Sequence, residues 1–294
     1  MARYGVPYRG SKSRIAPWVV EHIPSAEVFV DLFAGGCAVT HAALLAGRWE
    51  RYIVNDLSDA PRLFIDAANG RYADETRIPT REEFFAQKDR DPYIRYLFSF
   101  GNNGRDYLFS RDVEEVKVCA SKMLVAPTLA ERYRLYRRFI KLLGHDYRDR
   151  VMHELESCER IQTCEYLQRL QGLQSLQSLQ SLQSLQGLQG DYRSVPIPDG
   201  AVVYCDPPYR GTNCGCYEGF DFEAFDAWLA SCGHLCVVSE YTAPAGCVEV
   251  AARQKQCSAS ANGKSQRVTE RLFVHESQLE TYERMIGAVY AESA

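Results

Sequence analysis

The sequence predicts an α/β fold, a parallel sheet with helices on both faces, split by a mainly helical insertion. Three observations predict it. Short apolar runs alternate with helical patterns near the N-terminus, as strands and covering helices of a parallel sheet do. Over roughly residues 70–190 that alternation gives way to helical, charged segments. Beyond residue 190 it resumes, so a single sheet is interrupted.

The elements follow in order. "EVFVDLF" (27–33) reads as a buried strand, "CAVTHAALLAG" (37–47) as a helix closed by Gly47, and "RYIVND" (51–56) as a second strand. "SDAPRLFIDAANG" is a helix with Ser58 as N-cap and Gly70 as stop. In the middle, Thr80 with Glu83 and Thr128 with Glu131 have capping-box spacing. The second opens an amphipathic helix with Leu129, Tyr133, Tyr136, Ile140 and Leu143 on one side and Gly144 at its end. Between them "FSFGNNGRDYLFS" (98–110) carries an Asn-Asn-Gly turn signal flanked by aromatics. After the insertion come a strand at 201–205, a helix at 221–232 capped by Asp221, and strands at 234–240 and 269–275.

Residues 167–190 form a separate tract with Leu at every third position from Leu167 to Leu188. On an α-helix such a stripe drifts about 60° backwards per triplet, and on a strand it alternates faces. The pattern favours a low-complexity insert over a leucine-lined packing element.

A chain of 294 residues can bury a sizeable core. No stretch approaches the roughly 20 apolar residues of a membrane span, and the N-terminus lacks the apolar centre of a secretory signal, so a cytoplasmic protein is expected. The eleven cysteines are odd in number and form no paired CxxC units, which reads as free thiols with no metal site. The net charge of −4 is unevenly spread. Residues 128–150 hold seven Lys/Arg against three acids, and residues 253–271 five against one. Two basic segments therefore sit in an acidic chain, either as nucleic-acid contacts or as solvated faces.

Three motifs carry chemistry. "VDLFAGG" ends a strand and opens a helix with two glycines, which suits either close approach of a ligand or tight helix packing. About twenty residues on, the next strand ends in Asn55-Asp56, where doubly wound folds place an acid on a ribose. Asp206-Pro-Pro-Tyr209 follows the strand at 201–205, at the carboxyl end where such sheets bind ligands. An ionised Asp206 and the Pro207 carbonyl are both acceptors on a rigid turn, suited to an exocyclic NH₂, and Tyr209 offers a ring for stacking.

With these motifs in this order, the chain resembles the Dam-like DNA adenine-N6 methyltransferases. Tyr8-Arg-Gly-Ser-Lys12 is similar to their N-terminal cofactor motif, with Ser11 in place of a usual glycine. Asp31-Leu-Phe-Ala-Gly-Gly36 is similar to the glycine loop, Asn55-Asp56 to the ribose-binding acid, and Asp206-Pro-Pro-Tyr209 to the catalytic motif. "SANGKSQRVTERLFV" (260–274) looks like the closing segment, an Asn-Gly loop running into a strand with a Glu. The Leu-Gln tract has no counterpart in the best-known members.

The resemblance implies a Rossmann-like methyltransferase sheet in residues 1–69 and 191–294, with a helical target-recognition insertion at 70–166. It implies S-adenosylmethionine as cofactor, held by Tyr8, Lys12, Asp31, Phe33, Gly35, Gly36, Asp56 and Asp206, and no metal. Asp206, Pro207 and Tyr209 hold a flipped adenine of double-stranded DNA. Asn102, Asn103 and Arg105 reach bases, and Arg134, Arg137, Arg138, Lys264 and Arg267 meet phosphates. In a restriction-modification setting the partner is a cognate restriction endonuclease. RNA or cytosine-N4 methyl transfer, and a non-catalytic DNA-binding subunit on the same fold, stay open as alternatives.

Overall fold

The computed structural model describes residues 4–143, 165–176, 179, 184–211, 219–257 and 266–292. The chain divides into two units, one of Met1–Gly5, Ser11–Pro61 and Ser181–Ala294, the other of Val6–Gly10 and Arg62–Gln180. Seven strands are described: β1 (Val28–Asp31), β2 (Arg51–Asp56), β3 (Leu185–Gln189), β4 (Val202–Cys205), β5 (Leu235–Glu240), β6 (Cys247–Cys257) and β7 (Gln266–His275). The described α-helices are α1 (Ala16–Glu21), α2 (Ala38–Ala46), α3 (Ala60–Ala68), α4 (Arg81–Gln87), α5 (Pro92–Leu97), α6 (Glu114–Val125), α7 (Leu129–Leu143), α8 (Glu165–Ser175), α9 (Phe222–Ser231) and α10 (Leu279–Glu292). None of them is long and apolar enough to cross a membrane.

The first unit is built on one sheet in the order β3-β2-β1-β4-β5-β7-β6. β1 to β5 are parallel, while β7 runs antiparallel to both β5 and β6. This is the α/β sheet expected from the sequence, with an antiparallel edge added. Every residue of β1, β4 and β5 is buried, which unbroken apolar runs allow only where both faces are covered. On one face Val30, Ile53, Val203 and Val238 pack with Phe225 and Leu229 of α9. On the other, Phe29 and Tyr52 meet Trp49 at 5.1 and 6.4 Å, and the Tyr52 hydroxyl donates to the Ala43 carbonyl of α2 at 3.3 Å. Gly47 ends α2 in the left-handed region at φ 64°, and Asp221 caps α9 by accepting from the Ala224 N–H at 2.9 Å. Chain order reverses between β1 and β4, the kind of switch point at whose carboxyl ends open α/β sheets bind ligands.

Two strands escape the sequence reading. β6 lies at the sheet edge, where charge is tolerated and blunts further pairing, so "CVEVAARQKQC" lacks a clean alternation. β3 lies inside the Leu-Gln tract and pairs in parallel with β2.

In the second unit, the Thr80–Glu83 capping box is complete: the Glu83 N–H donates to Thr80 Oγ1 at 3.3 Å and the Thr80 N–H to Glu83 Oε2 at 2.7 Å. At α7 the Glu131 N–H donates to Thr128 Oγ1 at 3.2 Å. α7 buries none of its residues, and two from the apolar side read in the sequence, Leu129 and Tyr133, are 82% and 61% exposed. Among the described elements its main packing partner is α6. Gly144 lies outside the described residues.

The Leu-Gln tract is not the featureless insert that its composition suggests. Leu170 and Leu173 of α8, and Leu176 just beyond it, are 5%, 1% and 1% exposed. Three leucines drifting about 60° per triplet still span only about 120°, the width of one apolar stripe. A longer run leaves that stripe, and α8 ends at Ser175. Arg169 donates to the Leu97 carbonyl at 2.7 Å and Gln174 to that of Ala73 at 2.8 Å, anchoring the helix in its unit. Leu173→Ala is expected to cost about 2–5 kcal/mol in denaturant unfolding, against less than about 0.5 kcal/mol for exposed Gln171→Ala. Equal effects at both positions would return the tract to an unpacked insert.

Candidate active site

The carboxyl ends of β1, β2 and β4 bring Asp31, Asp56 and Asp206 to one edge of the sheet, each with different partners. Asp56 is buried, and both its oxygens accept backbone N–H groups at 2.8 Å, Gly35 on Oδ2 and Ser58 on Oδ1. It therefore shapes the glycine loop, where Gly35 (φ 48°) and Cys37 (φ 57°) take left-handed backbone just before α2. The N-terminal segment presses on this loop through a residue that sequence reasoning missed. Gly5 has φ 71°, and a Cβ there would strike the Gly36 carbonyl and stand 2.7 Å from the Ala38 nitrogen. Its N–H donates to His41 Nδ1 at 3.0 Å, and burial lowers His41 to about 4, so the ring stays neutral.

Asp206 is joined to Lys12, whose ammonium donates to both carboxylate oxygens at 2.6 Å. The Lys12 Nζ also lies 3.6 Å from Glu270 Oε1 and 4.6 Å from the centre of the Tyr209 ring. Tyr209 donates its hydroxyl to Glu270 and meets Tyr241 edge to face at 4.5 Å. Lys255 pairs with the other Glu270 oxygen. Burial pushes Asp206 up, Lys12 pulls it back and Glu270 pushes again, for a net rise. For Lys12 burial acts downward, but Asp206 and then Glu270 outweigh it and the ammonium is raised. Tyr209 is only 8% exposed and Pro207 is buried, so the stacking ring is enclosed, with an ammonium over it. From the sequence Glu270 was read only as the Glu of the closing segment, and Lys255 only as part of the basic segment 253–271, neither with a role in the site. Arg253 is the direct cross-strand partner of Glu270, and Lys255, two residues on, is its diagonal neighbour on the same face. That signal becomes readable once β6 is known to be a strand.

Beside the glycine loop lies a cavity of about 260 Å³ lined by Phe33, Asn55, Leu57, Asp191, Tyr192 and Phe220, among others. Phe33 meets Tyr192 at 5.2 Å and Phe220 at 5.9 Å, so the pocket has aromatic walls. Asn55 spends its amide nitrogen on the Leu32 and Gly190 carbonyls, both at 3.1 Å, and its buried Oδ1 has no partner among the described residues. The same holds for Asp31 Oδ1, while Asp31 Oδ2 accepts from Thr40 at 2.7 Å. Aromatic walls, the carboxylate of Asp191 and the orphaned Asn55 acceptor in the lining fit a ligand with donors, positive charge and a flat ring, as S-adenosylmethionine has. Asp191, missed because β3 was not read as a strand, pairs with Arg193, whose hydrogen bond lowers it to about 2.

The other expected residues lie elsewhere. Tyr8 belongs to the second unit and tilts against Tyr96 at 5.7 Å. In that unit the Ser99–Tyr107 bridge frames a turn where Asn102 is left-handed. Asn103 Oδ1 accepts from the Arg105 and Asp106 N–H groups at 2.8 and 3.0 Å, and its Nδ2 donates to Asp106 at 2.7 Å. The Asn103 side chain thus builds the turn, while Arg105 is exposed and Phe100 beside it is 66% exposed. Arg134, Arg137 and Arg138 are exposed on α7, with Arg134 3.8 Å from Glu131 and Arg138 3.0 Å from Glu115. Arg267 is exposed on β7, and Lys264 and the Asn-Gly loop lie outside the described residues.

Burial above all pushes Asp31 from its ordinary 3.8 up to about 7, against the pull of Thr40 and helped by Asp206 and Asp56. Between those values the folded chain keeps a proton that the unfolded chain has released. Stability therefore falls as pH rises through this window, by ~4 kcal/mol at most for this group. Thermal midpoints from pH 4 to 8 should show the decline, and Asp31→Asn should flatten it. An identical pH profile in that variant would remove Asp31 as its source.

The comparisons with known proteins join this geometry. Residues 8–67 match the family model described as D12 class N6 adenine-specific DNA methyltransferase. No curated protein sequence matches the chain. Among solved structures it is similar to a proposed RNA methyltransferase from Pyrococcus horikoshii, at 10% identity over 91% of this chain and 84% of that one, with a TM-score of 0.38. It is also similar to a dimethyladenosine transferase from Plasmodium falciparum, at 10% identity over 92% of this chain and 64% of that one, with a TM-score of 0.33. Over residues 8–67 the match is to a class of adenine methyltransferases, in agreement with the Dam-like motifs in that stretch.

Proposed function

We propose that the protein transfers a methyl group from S-adenosylmethionine to the N6 amino group of an adenine flipped out of duplex DNA. The observation that carries this reading is Asp206. It is a carboxylate on a Pro-Pro turn at the end of β4, bound by Lys12 and in the same unit as an aromatic cavity whose lining includes the orphaned Asn55 acceptor. Residues 1–69 and 191–294 form the cofactor-binding part of this reading, and 70–166 the target-recognition insertion.

S-adenosylmethionine supplies an electrophilic methyl when bound. Asn55 Oδ1, Phe33 and Tyr192 in the cavity lining would hold it, and Asp31 at the end of β1 would answer its positive charge. The target amino nitrogen is a weak nucleophile because its lone pair is delocalised into the ring. Hydrogen bonds from its N–H groups to Asp206 and the Pro207 carbonyl favour a pyramidal, electron-rich nitrogen and fix its direction of attack. The nitrogen then sheds one proton, for which Asp206 is the bonded acceptor. Flipping the base costs a few kcal/mol, offset in part by contact with Tyr209. In the second unit, Asn102, Arg105 and exposed Phe100 present a polar and aromatic turn to the bases, and Arg134, Arg137 and Arg138 lie along α7 for phosphates. Arg267, exposed on β7, extends the phosphate contacts.

Two outcomes are expected. Asp206→Asn should keep its fold by thermal denaturation but lose about 10²-fold or more in transfer of labelled methyl to DNA, scored as N6-methyladenine after nucleoside digestion. Label on cytosine, or on RNA alone, would replace the substrate assignment, and full activity in the variant would remove Asp206 from the chemistry. Arg137→Gln with Arg138→Gln should lower the salt dependence of DNA binding by ~1–2 in log–log slope. An unchanged slope returns these arginines to a solvated face.

A further inference from the structure

The site holds two ammoniums and two carboxylates side by side: Lys12 on Asp206, and Lys255 on Glu270. Glu270 is fully buried on β7. Its Oε1 takes the Tyr209 hydroxyl, and the same oxygen lies 3.6 Å from Lys12 Nζ. One ammonium thus stands between two carboxylates, bonded to the first and just short of the second. In the function proposed above, on which this inference rests, Asp206 must accept from the amino group of the base. Both its oxygens are already taken by Lys12. An ammonium that leaves a buried carboxylate without finding another becomes an unpaired buried charge, which is strongly unfavourable.

We propose that Glu270 is a positioning residue: it receives the Lys12 ammonium as the amino group docks on Asp206, and holds Tyr209 in place through the exchange. The flexible lysine stem needs no backbone movement to make this shift. The Tyr209 ring beneath the ammonium offers a π face along the way. Two cations and two carboxylates give a net charge of zero before and after. Lys12 and Lys255 hold Glu270 below the usual carboxylate range against its burial, so it is ionised when the ammonium arrives. A static pair of ion pairs does not need the hydroxyl of Tyr209, the aromatic member of the base-binding motif, on the second carboxylate.

The test begins with the wild-type chain on unmethylated genomic DNA, followed by single-molecule sequencing to give the modified base and its motif. Absence of N6-methyladenine there removes the functional reading, and this inference with it. Duplexes carrying that motif are then compared with duplexes in which 2-aminopurine replaces the target adenine, so that the 6-amino group is missing. Binding is measured with S-adenosylhomocysteine present, so that no turnover intervenes. The wild type is expected to prefer adenine by about tenfold or more, and Glu270→Gln to reduce the preference to within about threefold. Its affinity for S-adenosylhomocysteine should stay near wild type, while its thermal midpoint falls because Lys255 loses its carboxylate. Glu270→Asp, which keeps the charge but withdraws it by one methylene, should fall between and decides alone if the glutamine variant does not fold. A wild type without preference for the amino group, or variants that keep the full preference, would overturn the proposal while leaving the methyl transfer intact.

Discussion

Lys12 and Asp206 are 194 residues apart in the chain and joined by two hydrogen bonds of 2.6 Å. A buried carboxylate at the end of β4 needs a cation, and no residue on β4 supplies one. The N-terminal segment must therefore cross to the sheet's carboxyl edge, and its path is fixed by a second close contact. Gly5 lies so near Gly36 and Ala38 that only glycine fits, and its N–H is held by His41. Pairing and backbone contact together fasten the N-terminus to the glycine loop and to the Asp-Pro-Pro-Tyr turn. Breaking either half of a buried ion pair leaves a bare charge, so Lys12 and Asp206 support each other's position as well as any chemistry.

Much of the sheet was legible because its central strands are buried on both faces and hold unbroken apolar runs, as in "VFV" and "VVYC". The caps at Gly47, Thr80 and Asp221 were legible for a local reason: each satisfies backbone groups within a few residues of itself. The edges were not. β6 is charged because an edge strand tolerates charge, and β3 is hidden in a period-three repeat that matches neither a helix nor a strand. The same blindness hid the site residues those strands carry. Lys255 needs β6 to become the diagonal neighbour of Glu270, and Asp191 needs β3 to stand at a strand end.

The Leu-Gln tract shows how tertiary context decides a pattern with no period of its own. Where three leucines span one stripe, the chain is helical and they are buried. Where the next leucines are needed by β2, which lacked a neighbour on that side, five residues extend as β3. Each choice uses a stretch too short for the mismatch between period three and the element's own period to accumulate.

The three carboxylates at the sheet edge are not equivalent, and their partners say why. Asp56 accepts a backbone N–H on each oxygen, which ties its charge to the shape of the glycine loop. Asp206 is matched by the Lys12 ammonium, which bonds both of its oxygens. Asp31 has one hydroxyl and otherwise nothing among the described residues, which is why burial dominates it and lifts it to about 7. An acid left so incompletely satisfied is costly unless something positive arrives beside it. Of the three it is therefore the one with most to gain from a cationic ligand. That gain grows with pH up to about 7, because more of the unliganded chain is already deprotonated there and less binding energy goes into removing the proton.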